Sequence, residues 1–194
     1  AVKTASGQPP QVVVVGCSAG GLAALHQLLG GLSGPLPVPM VVVCHSGSED
    51  MRVFCELLAS RSGLPVEEAE ERQLPEPGKV YVAPSGYHLL IERNGRFALS
   101  IDPRVAFSRP SIDVLFESAA EVWRGQVLAV LMTGANSDGA EGCARIRRSG
   151  GTLIVQDPET AQVAMMPAAA LELAGADHCL PLPEIPFLLE ALCS

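Results

Sequence analysis

Three residues of this 194-residue chain carry the side chains of a nucleophile, a base and an orienting acid, and each follows a buried-looking apolar run. Ser18 lies in Gly16-Cys17-Ser18-Ala19-Gly20-Gly21, after the run Gln11 to Val15. Small residues let the chain turn sharply from strand to helix and leave the hydroxyl exposed in the turn, as in the G-x-S-x-G nucleophile elbow. Backbone N–H groups at such a helix start bind an anion or a tetrahedral oxyanion. A phosphate cradle or a plain tight turn uses the same residues. His45 follows the run Met40 to Cys44. Imidazole titrates near neutrality and is the usual base for a serine hydroxyl, although a histidine there also serves as a capped structural residue. Asp138 lies in Thr133-Gly134-Ala135-Asn136-Ser137-Asp138-Gly139, after the run Val127 to Met132. Its plain role is a helix N-cap. Its sharper role is to fix the imidazole tautomer and stabilise the imidazolium.

These residues need elements that bring three run ends together. Gln11 to Val15, Met40 to Cys44, Val127 to Met132 and Thr152 to Val155 are continuous apolar runs, as expected for strands buried on both faces. Helical spacing predicts helices over Gly20 to Leu29 (with Leu22, Leu25, Leu28 and Leu29 on one stripe), Glu49 to Ser60 (with Val53, Leu57 and Leu58 inward) and Ala140 to Ser149. A further helix is predicted over Pro110 to Trp123, with Pro in its first turn and Asp113 near its positive end. Lys79 to Val82, His88 to Glu92 and Arg96 to Ile101 read as short strands, the last two joined across Asn94-Gly95, a strong hairpin signal. The expected fold is α/β: a doubly wound, mainly parallel sheet with helices on both faces and an antiparallel hairpin at or near one edge. Such folds bind ligands outside the carboxyl ends of their strands, at a switch point. Ser18, His45 and Asp138 all fall at that rim.

Bulk properties narrow the function classes. Hydrophobic residues make up 48% and charged residues 18%, enough for a full core and too little charge for disorder. No apolar run approaches the roughly 20 residues of a membrane span. The net charge of -8 disfavours a nucleic-acid binder. None of the six cysteines forms a C-x-x-C pair, so reduced buried thiols in a cytoplasmic protein are expected, without disulfides or zinc. No ligand cluster suggests a metal or other cofactor. Residues 1–10, AVKTASGQPP, read as a flexible lead with no signal-peptide core, and 11–194 as one domain.

Several segments together resemble the catalytic domain of the chemotaxis protein-glutamate methylesterases (CheB-type). The family's Gly-Ala-Ser-Thr-Gly-Gly is similar to Gly16-Cys17-Ser18-Ala19-Gly20-Gly21, and its Gln-His strand end to Cys44-His45. Its pG-x-x-Y-x-A-P-x-x-x-H segment is similar to Pro77 through His88. Its RPS-x-D-x-LF-x-S-A helix start is similar to Arg109 through Ala119. The TG-x-x-x-DGA loop is similar to Thr133 through Ala140, and QD-x-x-T with a later MP to Gln156-Asp157-Pro158-Glu159-Thr160 and Met166-Pro167. The resemblance runs from Val12 to about Leu189. The chain departs from the family pattern at Ala19, Cys44, Ala135, Asn136 and Met165, all at or bordering the site. Nothing resembles the family's acidic receiver-domain pocket, so three readings stay open: a stand-alone esterase, a cut domain, or one part of a fusion, with any regulatory domain separate or fused.

The resemblance implies that Ser18 attacks a glutamyl γ-methyl ester of a chemoreceptor's cytoplasmic helical domain. His45 acts as base, Asp138 orients it, and an acyl-enzyme then hydrolyses to glutamate. Backbone N–H groups at Ala19 and Gly20, with the Ala135 loop, would hold the oxyanion; receptor glutamine deamidation is a related possibility. Three alternatives stay open. A small-ester α/β-hydrolase has the triad order Ser, Asp, His and would need His178 as base. A nucleotide-binding module would use the Gly-rich turn as a cradle, although it lacks G-x-G-x-x-G and a Walker lysine. A catalytically weakened homologue would only bind receptors.

Overall fold

The computed structural model describes residues 1–45 and 50–194. Seven strands form one parallel sheet: β1 (Val12–Cys17), β2 (Met40–Cys44), β3 (Val66–Glu68), β4 (Val80–Val82), β7 (Val127–Leu131), β8 (Thr152–Gln156) and β9 (His178–Leu180). They lie in the order β3-β4-β2-β1-β7-β8-β9. The helices are α1 (Gly21–Gly30), α2 (Met51–Ser62), α3 (Ile112–Trp123), α4 (Ala140–Arg148), α5 (Met165–Ala174) and α6 (Ile185–Cys193).

The apolar runs become central strands because each buries both faces. On β1, Val13, Val15 and Cys17 join a core with Leu25 and Leu28 of α1, Phe54 and Leu58 of α2 and Leu189 of α6. Val12 and Val14 join the opposite core with Leu115 and Phe116 of α3, Cys143 of α4 and Ala170 of α5. Side chains alternate between faces along a strand, so a continuous apolar run has to be covered twice. The sheet is therefore doubly wound. Chain order moves outward from β1 through β2 in one direction and through β7 and β8 in the other, which makes the carboxyl end of β1 the switch point.

The hairpin forms as a separate two-stranded antiparallel sheet, β5 (His88–Ile91) and β6 (Phe97–Ser100). Glu92 N–H donates to Arg96 O and Gly95 N–H to Glu92 O, with Gly95 at φ +81°. That is a three-residue loop closed by a left-handed glycine. The sheet packs on α3 and lies near the β3–β4 edge, where Phe97 meets Tyr81 edge-on with ring centroids 5.3 Å apart.

Several expectations need correcting. Pro110 is outside α3: Ser111 is the N-cap, its hydroxyl accepting from Val114 N–H, and the helix starts at Ile112. Helix α2 begins at Met51; the expected start at Glu49 lies outside the described residues. Its core stripe is Met51, Phe54, Cys55 and Leu58, an i, i+3, i+4, i+7 set, so Val53 and Leu57 are half-exposed rather than inward. Strands β3 and β9 and helices α5 and α6 carry no sequence signal strong enough to predict them. The two strands are three residues long and only partly buried, and both helices have proline near their start. All six cysteines are free thiols, four of them buried. Among the described residues, no helix is long and apolar enough to cross a membrane. In the lead, Ala5 N–H donates to Thr152 Oγ1 at 2.8 Å and Ser6 Oγ to Gly125 O at 2.7 Å.

Candidate active site

Ser18, His45 and Asp138 meet at the carboxyl rim of β1, β2 and β7. Parallel register fixes the first two, since Cys17 is the partner of Cys44 and His45 N–H donates to Cys17 O at 3.0 Å. Ser18 N–H donates to Thr133 O at 2.9 Å, tying the turn to the end of β7. The Ser18 hydroxyl oxygen accepts from Ala135 N–H at 2.9 Å. Gly134 leaves no room for a side chain: a Cβ there would collide with Ser18 Oγ and lie 2.6 Å from Met166 Sδ. Glycine at 134 therefore lets this loop approach the Ser18 hydroxyl closely.

Gly20, the N-cap of α1, adopts φ +80°. Among the described residues, nothing accepts from the N–H groups of Ala19 and Gly20. Both are donors at a helix N-terminus beside Ser18, and Ala135 N–H is a third donor already at its oxygen.

The His45 ring lies between Asp138 and the open side of the site. Its Nε2 is 3.0 Å from Asp138 Oδ2, with the ring N–H poorly aligned on that oxygen. Its Nδ1 has Ser108 Oγ and Asn136 Nδ2 each at 3.4 Å. Nε2 thus faces the acid, and Nδ1 is the nitrogen free to take a proton. No direct hydrogen bond joins Ser18 to His45; such contacts are often long in unliganded enzymes and tighten when substrate binds.

Asp138 does not cap its own helix. Gly139 is the N-cap of α4 and offers no side-chain bond. Instead Asp138 accepts from the start of α3: Ser111 Oγ at 2.9 Å, Ile112 N–H at 2.7 Å and Asp113 N–H at 3.1 Å. The carboxylate is fully buried. Burial by itself would raise its pKa. The His45 imidazole 3.0 Å away and the N–H groups of Ile112 and Asp113 outweigh burial and hold it below the ordinary carboxylate range.

The sequence reading did not assign the supports of this site. His88 is buried, with Nε2 2.9 Å from Pro103 O and Nδ1 accepting from Ser111 N–H at 3.1 Å. It anchors the cap that holds Asp138. Ser108 reaches His45 from the loop before α3. Arg109 makes no ion pair among the described residues; its Nη1 binds Ile101 O and Asp102 O, within the same loop. The Arg109-to-Ala119 motif was the available signal, but only tertiary structure shows that Ser111 serves Asp138.

Asp113 is the second buried carboxyl. Its Oδ1 accepts from Gly139 N–H at 2.9 Å and Gly142 N–H at 2.7 Å, fastening the Asp138 loop to α3. Burial, reinforced by the nearby charge of Asp138, pushes its pKa up to about 7 against the opposing Gly142 N–H bond. The folded pKa thus exceeds the unfolded one, so the folded state binds more protons between about pH 4 and 7. Stability falls as pH rises through that window. Asp113→Asn keeps an acceptor and removes the titration. Relative to wild type, this variant should gain more than about 1 kcal/mol between pH 4 and pH 8 in urea unfolding. Parallel pH curves for the two proteins would contradict this.

A cavity of about 320 Å³ opens beside Ser18 and His45, lined by Leu22, Cys44, Val53, Phe54 and Leu57 among others. Val53 and Leu57, apolar but not in the core, border this space. His178 lies elsewhere. It is the register partner of Ile154, which is level with Val130 and so with Val15. It therefore sits below the rim and three strands away, about 14 Å laterally at the usual strand spacing. The geometry does not bring it to Ser18.

Comparison with known proteins agrees with this architecture. A chain of Leptospira interrogans is 45% identical over 175 residues, covering 90% of this chain and 91% of that one. A Symbiobacterium thermophilum protein named protein-glutamate methylesterase/protein-glutamine glutaminase is 40% identical over 177 residues. That match covers 91% of this chain and 49% of the relative, so the chain spans about half its length. The crystal structure of the Thermotoga maritima CheB methylesterase catalytic domain superposes with a TM-score of 0.90 at 35% identity, covering 95% of this chain and 99% of that one. The family model for CheB methylesterase matches residues 13–189, and the chain belongs to that family.

Proposed function

We propose that the chain is a serine hydrolase that removes methyl groups from glutamyl γ-methyl esters of chemoreceptors in the cytoplasm. In this reading Ser18 is the nucleophile, His45 the base and Asp138 the orienting acid. The observation that carries it is the convergence of an imidazole 3.0 Å from a fully buried carboxylate with a serine held by a backbone donor, on three strand ends. Family membership supplies the reaction class. The relatives' name adds a glutaminase, so receptor glutamines are proposed as a second substrate.

Ser18 Oγ attacks the ester carbonyl carbon while His45 Nδ1 takes its proton. Asp138 stabilises the imidazolium through Nε2. As the carbonyl oxygen becomes an oxyanion, Ala135 N–H shifts to it from the serine oxygen, joined by Ala19 and Gly20 N–H. The imidazolium protonates the departing methoxide. Water, deprotonated by the same nitrogen, then releases the glutamate. Residues 11–194 act as the catalytic domain behind the lead 1–10.

A fluorophosphonate tests the nucleophile. One adduct should form, and peptide mapping should place it on Ser18. An adduct on another serine, with Ser18 unmodified, would overturn the assignment.

A further inference from the structure

Two thiols stand directly behind the reactive pair. Cys17 precedes Ser18 and Cys44 precedes His45, and the two cysteines are register partners on adjacent parallel strands, so both point to one face. A Cβ on Gly21 would lie 2.6 Å from Cys44 Sγ and 2.9 Å from Cys17 Sγ, so both sulfurs converge under the first residue of α1. Neighbouring strands lie about 4.8 Å apart, inside the Cα separation of roughly 4.4–6.8 Å that a disulfide spans. Cys44 lines the cavity beside Ser18, while Cys17 is fully buried behind it.

We propose that Cys17 and Cys44 form a redox modification site for hydroperoxides, which link the pair in a reversible disulfide that inactivates the adjoining centre. The oxidant enters through the cavity. The Cys44 sulfur attacks one peroxide oxygen, the O–O bond breaks, and Cys44 becomes a sulfenic acid as water leaves from hydrogen peroxide, or the alcohol from an alkyl hydroperoxide. The Cys17 sulfur then attacks the Cys44 sulfur, the S–O bond breaks, and water leaves. The peroxide gains the two electrons that the thiols lose. The hydrogen bond with Cys44 and burial both hold the Cys17 pKa up, which slows the closing step.

The link would act on catalysis through the backbone. Closing the two sulfurs to about 2.05 Å reorients the side chains of two residues that each precede a reacting one, and the strain passes to a backbone in which His45 N–H is itself bonded to Cys17 O. A displacement of about 1 Å in such a site costs on the order of 10²-fold in rate.

The inactivation rests on the esterase reading, whereas the cross-link does not. The reduced chain is treated with hydrogen peroxide, remaining thiols are alkylated, and peptides are mapped by mass. The expected result is a peptide joining Cys17 to Cys44 with two hydrogens lost, absent from Cys17→Ala and from Cys44→Ala. Fluorophosphonate labelling should fall by about 10- to 100-fold and return with dithiothreitol. That reversal separates the effect from sulfoxide at the exposed Met165, which dithiothreitol does not repair. Free thiols at both positions after Cys179 is fully oxidised would overturn the proposal, as would a complete cross-link with labelling unchanged. Absence of labelling in the reduced chain as well would instead count against the esterase reading.

Discussion

His45→Gln should lower kcat by about 10⁴–10⁶, while His178→Gln stays within a few-fold of wild type. Glutamine fills similar space but cannot accept the serine proton and return it to methoxide. Removing the imidazole also leaves the buried Asp138 carboxylate without the partner at 3.0 Å. His178 sits in the short edge strand β9, partly exposed, and its loss touches no group at the rim. Circular dichroism should show both variants folded. The comparison separates two orders of the same triad chemistry. A reversed outcome would remove His45 as base and restore an order in which a late histidine follows the acid. Equal, small effects would mean that a different group deprotonates Ser18.

Ser18→Ala should be comparably severe. The residual rate should be set by the backbone donors and by substrate binding alone, about 10³–10⁴-fold above the uncatalysed reaction. Fluorophosphonate labelling should vanish with turnover. Alanine lacks only the hydroxyl, so Thr133 O still receives the residue's N–H and the turn should keep its shape. Because the members of such a site act as a unit, Ser18→Ala combined with His45→Gln should be scarcely worse than either change alone. Additive losses in the double variant would show that the two side chains work in separate steps or separate sites.

How much of this was legible in the sequence follows from where each element sits. β1, β2, β7 and β8 are covered by helices on both faces, so their apolar runs are continuous and easy to recognise. Strands β3 and β9 sit at the sheet edges with three residues each, too short for a pattern. Val53 and Leu57 read as core because the sequence does not distinguish an apolar side chain facing a cavity from one facing a sheet. Ser18, His45 and Asp138 were visible because each ends a recognisable strand. The support of Asp138 was not, because it depends on α3 aiming its first N–H groups across the sheet end at a loop 25 or more residues later. The preference of Asp138 for Nε2 over Nδ1 is likewise a product of tertiary placement.

Cys44 and Cys17 show the same limit from the other side. In the sequence they are two of six scattered cysteines, and Cys44 appears only as a departure from the family's glutamine. Parallel register makes them neighbours and places them one residue from the reacting pair.

Cleavage of a glutamyl methyl ester on a receptor is the reaction proposed for this site. The direct measurement is methanol release from chemoreceptor membranes carrying radiolabelled methyl esters, with wild-type chain and Ser18→Ala compared at equal concentration. Wild type should give time-dependent labelled methanol, and Ser18→Ala none above background. Hydrolysis of a small activated ester by the same wild-type preparation, without any methanol from methylated receptors, would contradict the proposed reaction.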